Sequence, residues 1–415
     1  MRLILITGKG GVGKTTMAAA SAALTAGQGQ KVLLVSTDRA HSLADALDTP
    51  LGSEPVEIDA GLSALQVATQ ASFQQSWAVL RCYLVDLLGS GGVDAMAAEE
   101  LTVLPGAEEI LALLAVRDQA ASGRWDVVIV DCAPTAETLR LLALPRALSW
   151  YMERILPTHR RMVRGLGPLL GGVTLPGDGV TEAVTQLHAE LLGVQALLDD
   201  HGTSVRLVLT AEAVVLAEAR RTATSLALFG HRLDSVIVNR LIPGGGDAWR
   251  EAWAAAQAAQ LTEVEASFPG LPVRRAAYLA AEPVGLPALA AIGADLYRNG
   301  DPLAPPPPPS VALDVRRTPD QDGERFELFL PLPHAEREAV QLARSGDELV
   351  LTVGGYRRLL ARPGVLRRCR VTGSDLAGGR LRVVFRPDPD LWPTSCPGTA
   401  PWPRRLADPP KRSRN

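Results

Sequence analysis

Lys9 and Lys14, with the hydroxyls of Thr15 and Thr16 directly behind them, are the residues whose type and spacing best suit chemistry on a phosphate. They lie in Gly8-Lys9-Gly10-Gly11-Val12-Gly13-Lys14-Thr15, which fits the pattern G-x-x-x-x-G-K-[ST] residue for residue. Glycines let successive backbone N–H groups turn inward as an anion nest, and a helix starting behind them adds the positive end of its dipole. In that setting Lys14 reaches the β- and γ-phosphates and the Thr15 hydroxyl ligates Mg²⁺. The chain holds four lysines among 42 basic residues, and two of the four are in this loop. A compact ammonium fits a tight phosphate nest, where a guanidinium fork is not equivalent. The stretch reads as a nucleotide-binding loop rather than a bare glycine turn.

Two carboxylates close apolar, β-branched runs. Lys31 to Thr37 (KVLLVST) ends at Asp38, and Trp125 to Val130 (WDVVIV) ends at Asp131. As a plain helix cap Asp38 would contribute about 1 kcal/mol. At the carboxyl end of a strand beside the phosphate-loop strand, where open α/β sheets bind ligands, it can instead orient an attacking water. Asp131 has the position of a Walker-B carboxylate, which holds Mg²⁺ directly or through water. Cys82, Cys132, Cys369 and Cys396 are scattered and form no C-x-x-C pair, so buried thiols are expected rather than a metal or metalloid site.

The elements that must position these groups follow from periodicity. Leu3 to Thr7 is a buried-strand run, and the alanine-rich Met17 to Ala26 is a helix. Val205 to Thr210 and Ser235 to Asn239 are further strands, separated by a helical stretch from Ala211 to Leu228. This alternation across 1–300 predicts an α/β fold with a doubly wound, mostly parallel sheet. Residues 71–120 read as mostly helical, and 145–203 as a helical insert with the apolar patch Gly165 to Val173, either core or a surface for apolar partners. Trp249 and Trp253, four apart on a predicted helix, are expected in the core. Residues 301–310, with Pro302 to Pro309, predict a stiff proline-rich linker. Beyond it Val311 to Arg316, Phe326 to Leu332, Glu348 to Val353 and Arg380 to Phe385 alternate at period two, which predicts an antiparallel β-sandwich over 311–388. The Pro/Arg-rich 389–415 reads as a disordered tail.

Bulk properties narrow the classes. A net charge of −3 with 47% hydrophobic residues describes a globular protein with no electrostatic footprint for nucleic acid. No uncharged apolar run approaches the ~18 residues that span a bilayer, so no stable membrane insertion is expected. The N-terminus enters a strand without an export signal, and a cytoplasmic location is expected.

Several separated motifs resemble those of the ArsA-type ATPases, the family of the arsenite-pump ATPase and the targeting factor for tail-anchored membrane proteins. GKGGVGKTT (8–16) resembles the deviant Walker A loop with its extra lysine, and DRAHSL (38–43) the first switch. LPG (104–106) with Glu108 and Glu109 is similar to the adenosine-side loop. DCAPTAETLRLL (131–142) resembles the second switch, and VNRL (238–241) the segment whose Asn, here Asn239, contacts adenine. The resemblance implies a P-loop NTPase fold and Mg-dependent ATP hydrolysis in a homodimer. In it Lys9 reaches across to the partner's phosphates, a class of contact worth about 10³–10⁵ in rate. Lys14 and Thr15 keep the phosphate and magnesium roles, Asp38 positions the water and Asp131 senses the Mg²⁺/γ-phosphate state. Gly8, Gly10, Gly11, Val12, Gly13 and Thr16 complete the loop, and the helical insert would move with dimer closure. The switch residues Arg39, Ala136 and Glu137, and Ala277 near the adenine, depart from the usual Pro, Gly-His and Pro, which bears on nucleotide affinity and switch timing. The zinc C-x-x-C of the tail-anchor factors is absent, so zinc is not expected.

FELFLPLPHAEREAVQLARSGDELVLTVGGYRR (326–358) resembles an α-crystallin (small heat-shock) domain, as in the ArsA-like subgroup that carries such an appendage. The leading expectation is an ATP-driven homodimeric switch that binds apolar polypeptide segments. Alternatives are an arsenite-efflux ATPase, which lacks the expected thiols, and a MinD/ParA-type positioning ATPase, which would want a membrane helix or a basic DNA face. A holdase with structural nucleotide is the non-enzymatic reading.

Overall fold

The structure is a computed structural model. It describes residues 1–38, 42–67, 107–135, 138–139, 142–143, 178–306, 314–320 and 323–392. Of the expected helical stretches 71–120 and 145–203, residues 71–106 and 145–177 lie outside the described residues, as do the LPG loop, the switch residues Arg39 and Ala136-Glu137, Cys82, Cys396, residues 307–310 of the linker and 393–415 of the tail.

An eight-stranded sheet forms the first body, in the order β3-β4-β2-β5-β1-β6-β7-β8. Its strands are β1 (Arg2–Thr7), β2 (Val32–Ser36), β3 (Val56–Asp59), β4 (Leu62–Gln66), β5 (Val127–Asp131), β6 (Thr203–Thr210), β7 (Leu233–Leu241) and β8 (Val273–Ala277). Neighbouring strands are parallel except β3 with β4. Near-continuous Val/Leu/Ile runs such as VLLVS and VVIVD are buried along their whole length, as strands covered on both faces must be. β1 is central, with β5 on one side and β6 on the other. The chain fills one half of the sheet before the other, so the end of β1 is the switch point where such sheets bind ligands.

Helix α1 (Lys14–Gly27) starts directly from the phosphate loop and is buried on most of its circumference by alanines and Met17. Further helices are α2 (Ser42–Leu47), α3 (Ala107–Ala121), α4 (Asp178–Asp199), α5 (Ala213–Phe229), α6 (Ala248–Ser267) and α7 (Leu286–Leu296). The C-terminal half of α4 packs into the core, with Leu187, Leu191, Val194 and Leu198 buried in the main cluster. The β3–β4 hairpin and β8 carry no clear sequence signal. β8 (VRRAA) has two arginines in five residues and gains its place by pairing with β7.

Trp249 and Trp253 correct an expectation. They are 66% and 43% exposed, with ring centroids 6.1 Å apart. The face of α6 that meets the sheet is carried instead by Gln257, Val264 and Ser267. The four-residue spacing identified one stripe of the helix, but not which stripe was covered.

The C-terminal part holds a four-stranded antiparallel sheet, β14-β15-β10-β9, and a three-stranded one, β11-β12-β13. Their strands are β9 (Asp314–Asp320), β10 (Gly323–Pro331), β11 (Val340–Ser345), β12 (Glu348–Val353), β13 (Tyr356–Ala361), β14 (Cys369–Ala377) and β15 (Arg380–Pro387). A short helix, α8 (Gly364–Arg367), connects the sheets. Phe326, Leu328, Leu351, Val383 and Phe385 fill the core between them, and Leu228 and Phe229 of α5 belong to the same cluster. Phe229 meets Tyr356 edge-on, Arg358 donates to the Leu228 carbonyl and Thr224 to the Pro333 carbonyl. The sandwich is therefore seated on the last turn of α5, where a guanidinium also complements the helix dipole. The proline-rich stretch is anchored at its start, because Pro302 is buried and its carbonyl accepts a 3.0 Å bond from Arg206.

Candidate functional site

Parallel register collects the functional groups at one edge. Ile6 and Ser36 both pair with Asp131, so the loop after β1, the Asp38 turn after β2 and the end of β5 emerge side by side. Asp38 is not next to β1 as expected, because β5 intervenes and its Asp131 is the direct neighbour.

The loop itself is held by close approach. A β-carbon at Gly8 would stand 2.1 Å from the Val208 carbonyl oxygen, so β6 runs too near for any side chain there. Gly13 has φ 93° and caps α1, and a β-carbon on it would lie 2.3 Å from Asn239 Nδ2. Gly10 and Gly11 are exposed, Val12 is buried and Lys9 is half-buried. Lys14 is only 7% exposed, and its Nζ donates to the Lys9 carbonyl at 3.4 Å across the loop.

Behind Lys14, the Thr15 hydroxyl donates to Asp131 Oδ2 at 2.8 Å and lies 3.2 Å from Ser42 Oγ. Asp131 is fully buried, and its carboxyl is pushed up to about 7. Burial is the largest cause and the Asp38 charge adds to it, against the Thr15 hydrogen bond and Lys14. Its second oxygen, Oδ1, is buried with no hydrogen-bond partner among the described residues. A buried carboxylate with a spare oxygen beside a threonine hydroxyl is an oxygen donor set of the kind Mg²⁺ takes, with phosphates completing the shell. The residues fit the ion.

Asp38 is half-buried. Its amide donates to Ser36 Oγ at 3.3 Å and its carbonyl accepts from Gln66 Nε2 at 3.1 Å. These contacts hold the turn that presents the carboxylate to the same edge as Asp131. Thr138, from the second switch-like motif, donates to the Ala133 carbonyl and receives the Thr7 hydroxyl at 3.1 Å, which ties that motif to the end of β1.

On the other side of α1 a cleft of about 660 Å³ is lined by Gly13, Thr16, Met17, Asn239, Arg240 and the 276–283 segment. It is large enough for a nucleoside. Asn239 stands at its base, but its amide is committed to the loop: Nδ2 donates to the Val12 carbonyl at 2.9 Å, and Oδ1 accepts from Arg240 N at 2.8 Å. Sequence reasoning placed Ser42 only within the first switch-like motif, and assigned no role to Gln66 or Gln257, which no local pattern marks.

The described cysteines take no part. Cys132 and Cys369 are buried; burial pushes the Cys132 thiol well up and moves that of Cys369 to about 11. Among the described residues no group of three or more His, Cys, Asp or Glu side chains forms a metal cluster. No helix among them is long and apolar enough to cross a membrane.

Residues 1–298 match the family described as anion-transporting ATPase, and residues 323–385 match the HSP20-like domain found in ArsA. A Mycobacterium tuberculosis protein, Protein Rv2184c, is 37% identical over 418 residues, covering 95% of this chain and 98% of its own length. A Chlorobaculum tepidum protein, named as a candidate arsenical pump-driving ATPase, is 34% identical over 371 residues, 88% of this chain and 90% of its own. ATPase GET3 of Paracoccidioides lutzii is 31% identical over 293 residues, 68% of this chain and 86% of its own. A phosphate loop at the switch point of a mostly parallel sheet, matched over its whole extent, and an appended sandwich matched separately place this chain in the ArsA family of ATPases, with an HSP20-like domain at its C-terminal side.

Proposed function

We propose that this chain hydrolyses Mg·ATP and uses the turnover as a homodimeric switch that binds and releases apolar polypeptide segments in the cytoplasm. The observation that carries the reading is the Thr15 hydroxyl, which contacts Ser42 of the first switch-like motif and Asp131 of the second at once. Whatever occupies the phosphate site acts on both segments through one atom.

The loop amides and Lys14 cradle the β- and γ-phosphates. Thr15 and Asp131 would hold Mg²⁺, which would neutralise charge on the phosphate oxygens. Asp38, on the same edge, orients the water for in-line attack. Lys9, half-buried beside the exposed Gly10 and Gly11, supplies an ammonium to the partner copy's triphosphate. Asn239 and Thr16 line the nucleoside cleft. Efflux of a metalloid would call on accessible thiolates, and of the described cysteines both, Cys132 and Cys369, are held protonated by burial.

Steady-state turnover tests the shared site. Lys14→Ala abolishes ATP binding, whereas Lys9→Ala binds ATP and loses about 10³-fold in kcat as a trans-acting finger would. Lys9→Ala turning over like the parent would remove the shared site. For the client, Asp38→Asn held in Mg·ATP retains apolar segments on purification. Recovery of none, from a variant whose ATP binding is intact, would remove the client-binding part.

A further inference from the structure

Asn239 reaches the phosphate loop from a backbone that is itself held in an uncommon state. The next residue, Arg240, has φ 59°, the left-handed region that a side chain other than glycine rarely adopts. Such a conformation persists only where surrounding contacts over-determine it. Two of the contacts here come from one side chain. Gln257, on α6 and 7% exposed, donates from Nε2 to the Arg240 carbonyl at 2.9 Å and accepts at Oε1 from the Ile242 amide at 2.7 Å. The third is internal to the turn, the bond from Arg240 N to Asn239 Oδ1 at 2.8 Å.

The contacts form a line. Gln257 clamps the peptides on either side of Leu241, the clamp fixes Arg240 in its left-handed state, and that state gives Asn239 Oδ1 a donor. With its oxygen so held, the Asn239 amide can turn only its Nδ2 toward Val12, where it donates at 2.9 Å. Gly13, next in the loop, is the residue that leaves room for Nδ2. Arg240 and Asn239 also line the nucleoside cleft.

We infer that Gln257 is a positioning residue for the nucleotide site, a latch on the left-handed Arg240 that holds Asn239 against the phosphate loop. The inference rests on the ATPase reading for its nucleotide measurement but not for its structural one. A helix residue whose amide bonds two backbone groups of another segment, rather than of its own helix, is placed to set that segment's conformation. A glutamine serves because it alone of the common helix formers carries a donor and an acceptor on one planar group of that length.

The test compares Gln257→Ala in the parent and in Arg240→Gly, since glycine adopts the left-handed state without help. In nucleotide-free protein Gln257→Ala speeds hydrogen exchange of the amides of residues 9–15. In the presence of Mg·ATP it raises Kd about tenfold, the scale of two lost hydrogen bonds, while kcat stays within about twofold. In the Arg240→Gly background the same change at 257 costs less than about threefold, because its object has been removed. Gln257→Met, of similar length and without polar atoms, gives the same readings should the alanine variant fold poorly. Loop exchange and Kd at parental values, or an equal penalty in both backgrounds, would overturn the latch. A parent that binds no Mg·ATP would overturn the ATPase reading instead, and the exchange comparison would still decide the role of Gln257.

Discussion

The Thr15 hydroxyl donates a 2.8 Å hydrogen bond to a carboxylate oxygen of Asp131, a residue 116 positions further on and fully buried. The pair joins the first helical turn after the phosphate loop to the strand beside it. It is also the place where the charge state of one group bears on both stability and ligand binding.

Asp131 titrates near 7, above the 3.8 of an ordinary aspartate, so the folded protein holds a proton there that the unfolded chain releases earlier. Its stabilising effect is therefore present at low pH and lost as pH rises through 7. Without nucleotide, Asp131→Asn should be worth about 2 kcal/mol more relative to the parent at pH 8 than at pH 5.5, by urea unfolding. With Mg²⁺ present the sign reverses for binding. The ion competes with the proton, so parental affinity for Mg·ATP should rise between pH 6 and 8 more steeply than that of Asp131→Asn. Parallel profiles for the two proteins would refute the assignment.

The glycines at the two ends of the loop should be irreplaceable for different reasons. Gly8→Ala places a methyl 2.1 Å from the Val208 carbonyl oxygen, and Gly13→Ala places one 2.3 Å from Asn239 Nδ2 at φ 93°. Backbone cannot retreat easily, whereas a side-chain amide can. Gly8→Ala should abolish nucleotide binding. Gly13→Ala in an Asn239→Ala background should recover part of what Gly13→Ala loses alone, as read by equilibrium dialysis with Mg·ATP.

A buried charge cluster ties β6 and β7 to Tyr297, the residue that caps the C-terminus of α7. Arg206 and Asp234 pair at 3.0 Å with both side chains nearly inaccessible, and Arg2 adds a second bond to Asp234 at 2.8 Å. Burial alone would raise the Asp234 carboxyl, but Arg206 foremost among its partners holds it below the ordinary aspartate value. Arg206 also bonds Tyr297 and the Pro302 carbonyl. Asp234→Ala should cost about 3–5 kcal/mol, since it leaves a buried guanidinium unpaired. Arg206→Met with Asp234→Leu should restore most of that loss in the same denaturation assay.

The seat of the sandwich rests on few side chains. Phe229 is buried in the sandwich core although it belongs to α5 of the ATPase part. Phe229→Ala should cost about 3–5 kcal/mol in that interface. Limited proteolysis between the two parts should then speed up by more than about tenfold. Cleavage at the parental rate would mean that the two parts hold together without this contact.

Much of this was legible in the chain alone, and the reasons are local. The phosphate loop is recognisable because its chemistry needs glycines and one lysine at fixed offsets within eight residues. Strands β1, β2, β5, β6 and β7 are recognisable because a strand buried on both faces carries a continuous apolar run, which β6 and β7 keep at VLT and VIV beside their paired Arg206 and Asp234. Asp38 and Asp131 stood out because each ends such a run. β3, β4 and β8 did not, since their short, mixed sequences acquire strand structure only by pairing with neighbours already in place. The tryptophans of α6 show the same limit: their spacing defines a face, and packing alone decides which face is covered.

Sequence by itself thus determined the nucleotide loop, the alternation of strands and helices and the family to which both belong, because each is written in residues close together along the chain. Tertiary structure decided that Thr15 touches two switch-like segments, that Asn239 braces the loop from 227 residues away and that Gln257 holds Asn239's neighbour in a left-handed turn. Those contacts depend on strand order and register, which fold distant segments onto one sheet edge. No short window of local sequence contains both halves of bonds that span from 17 to 227 residues.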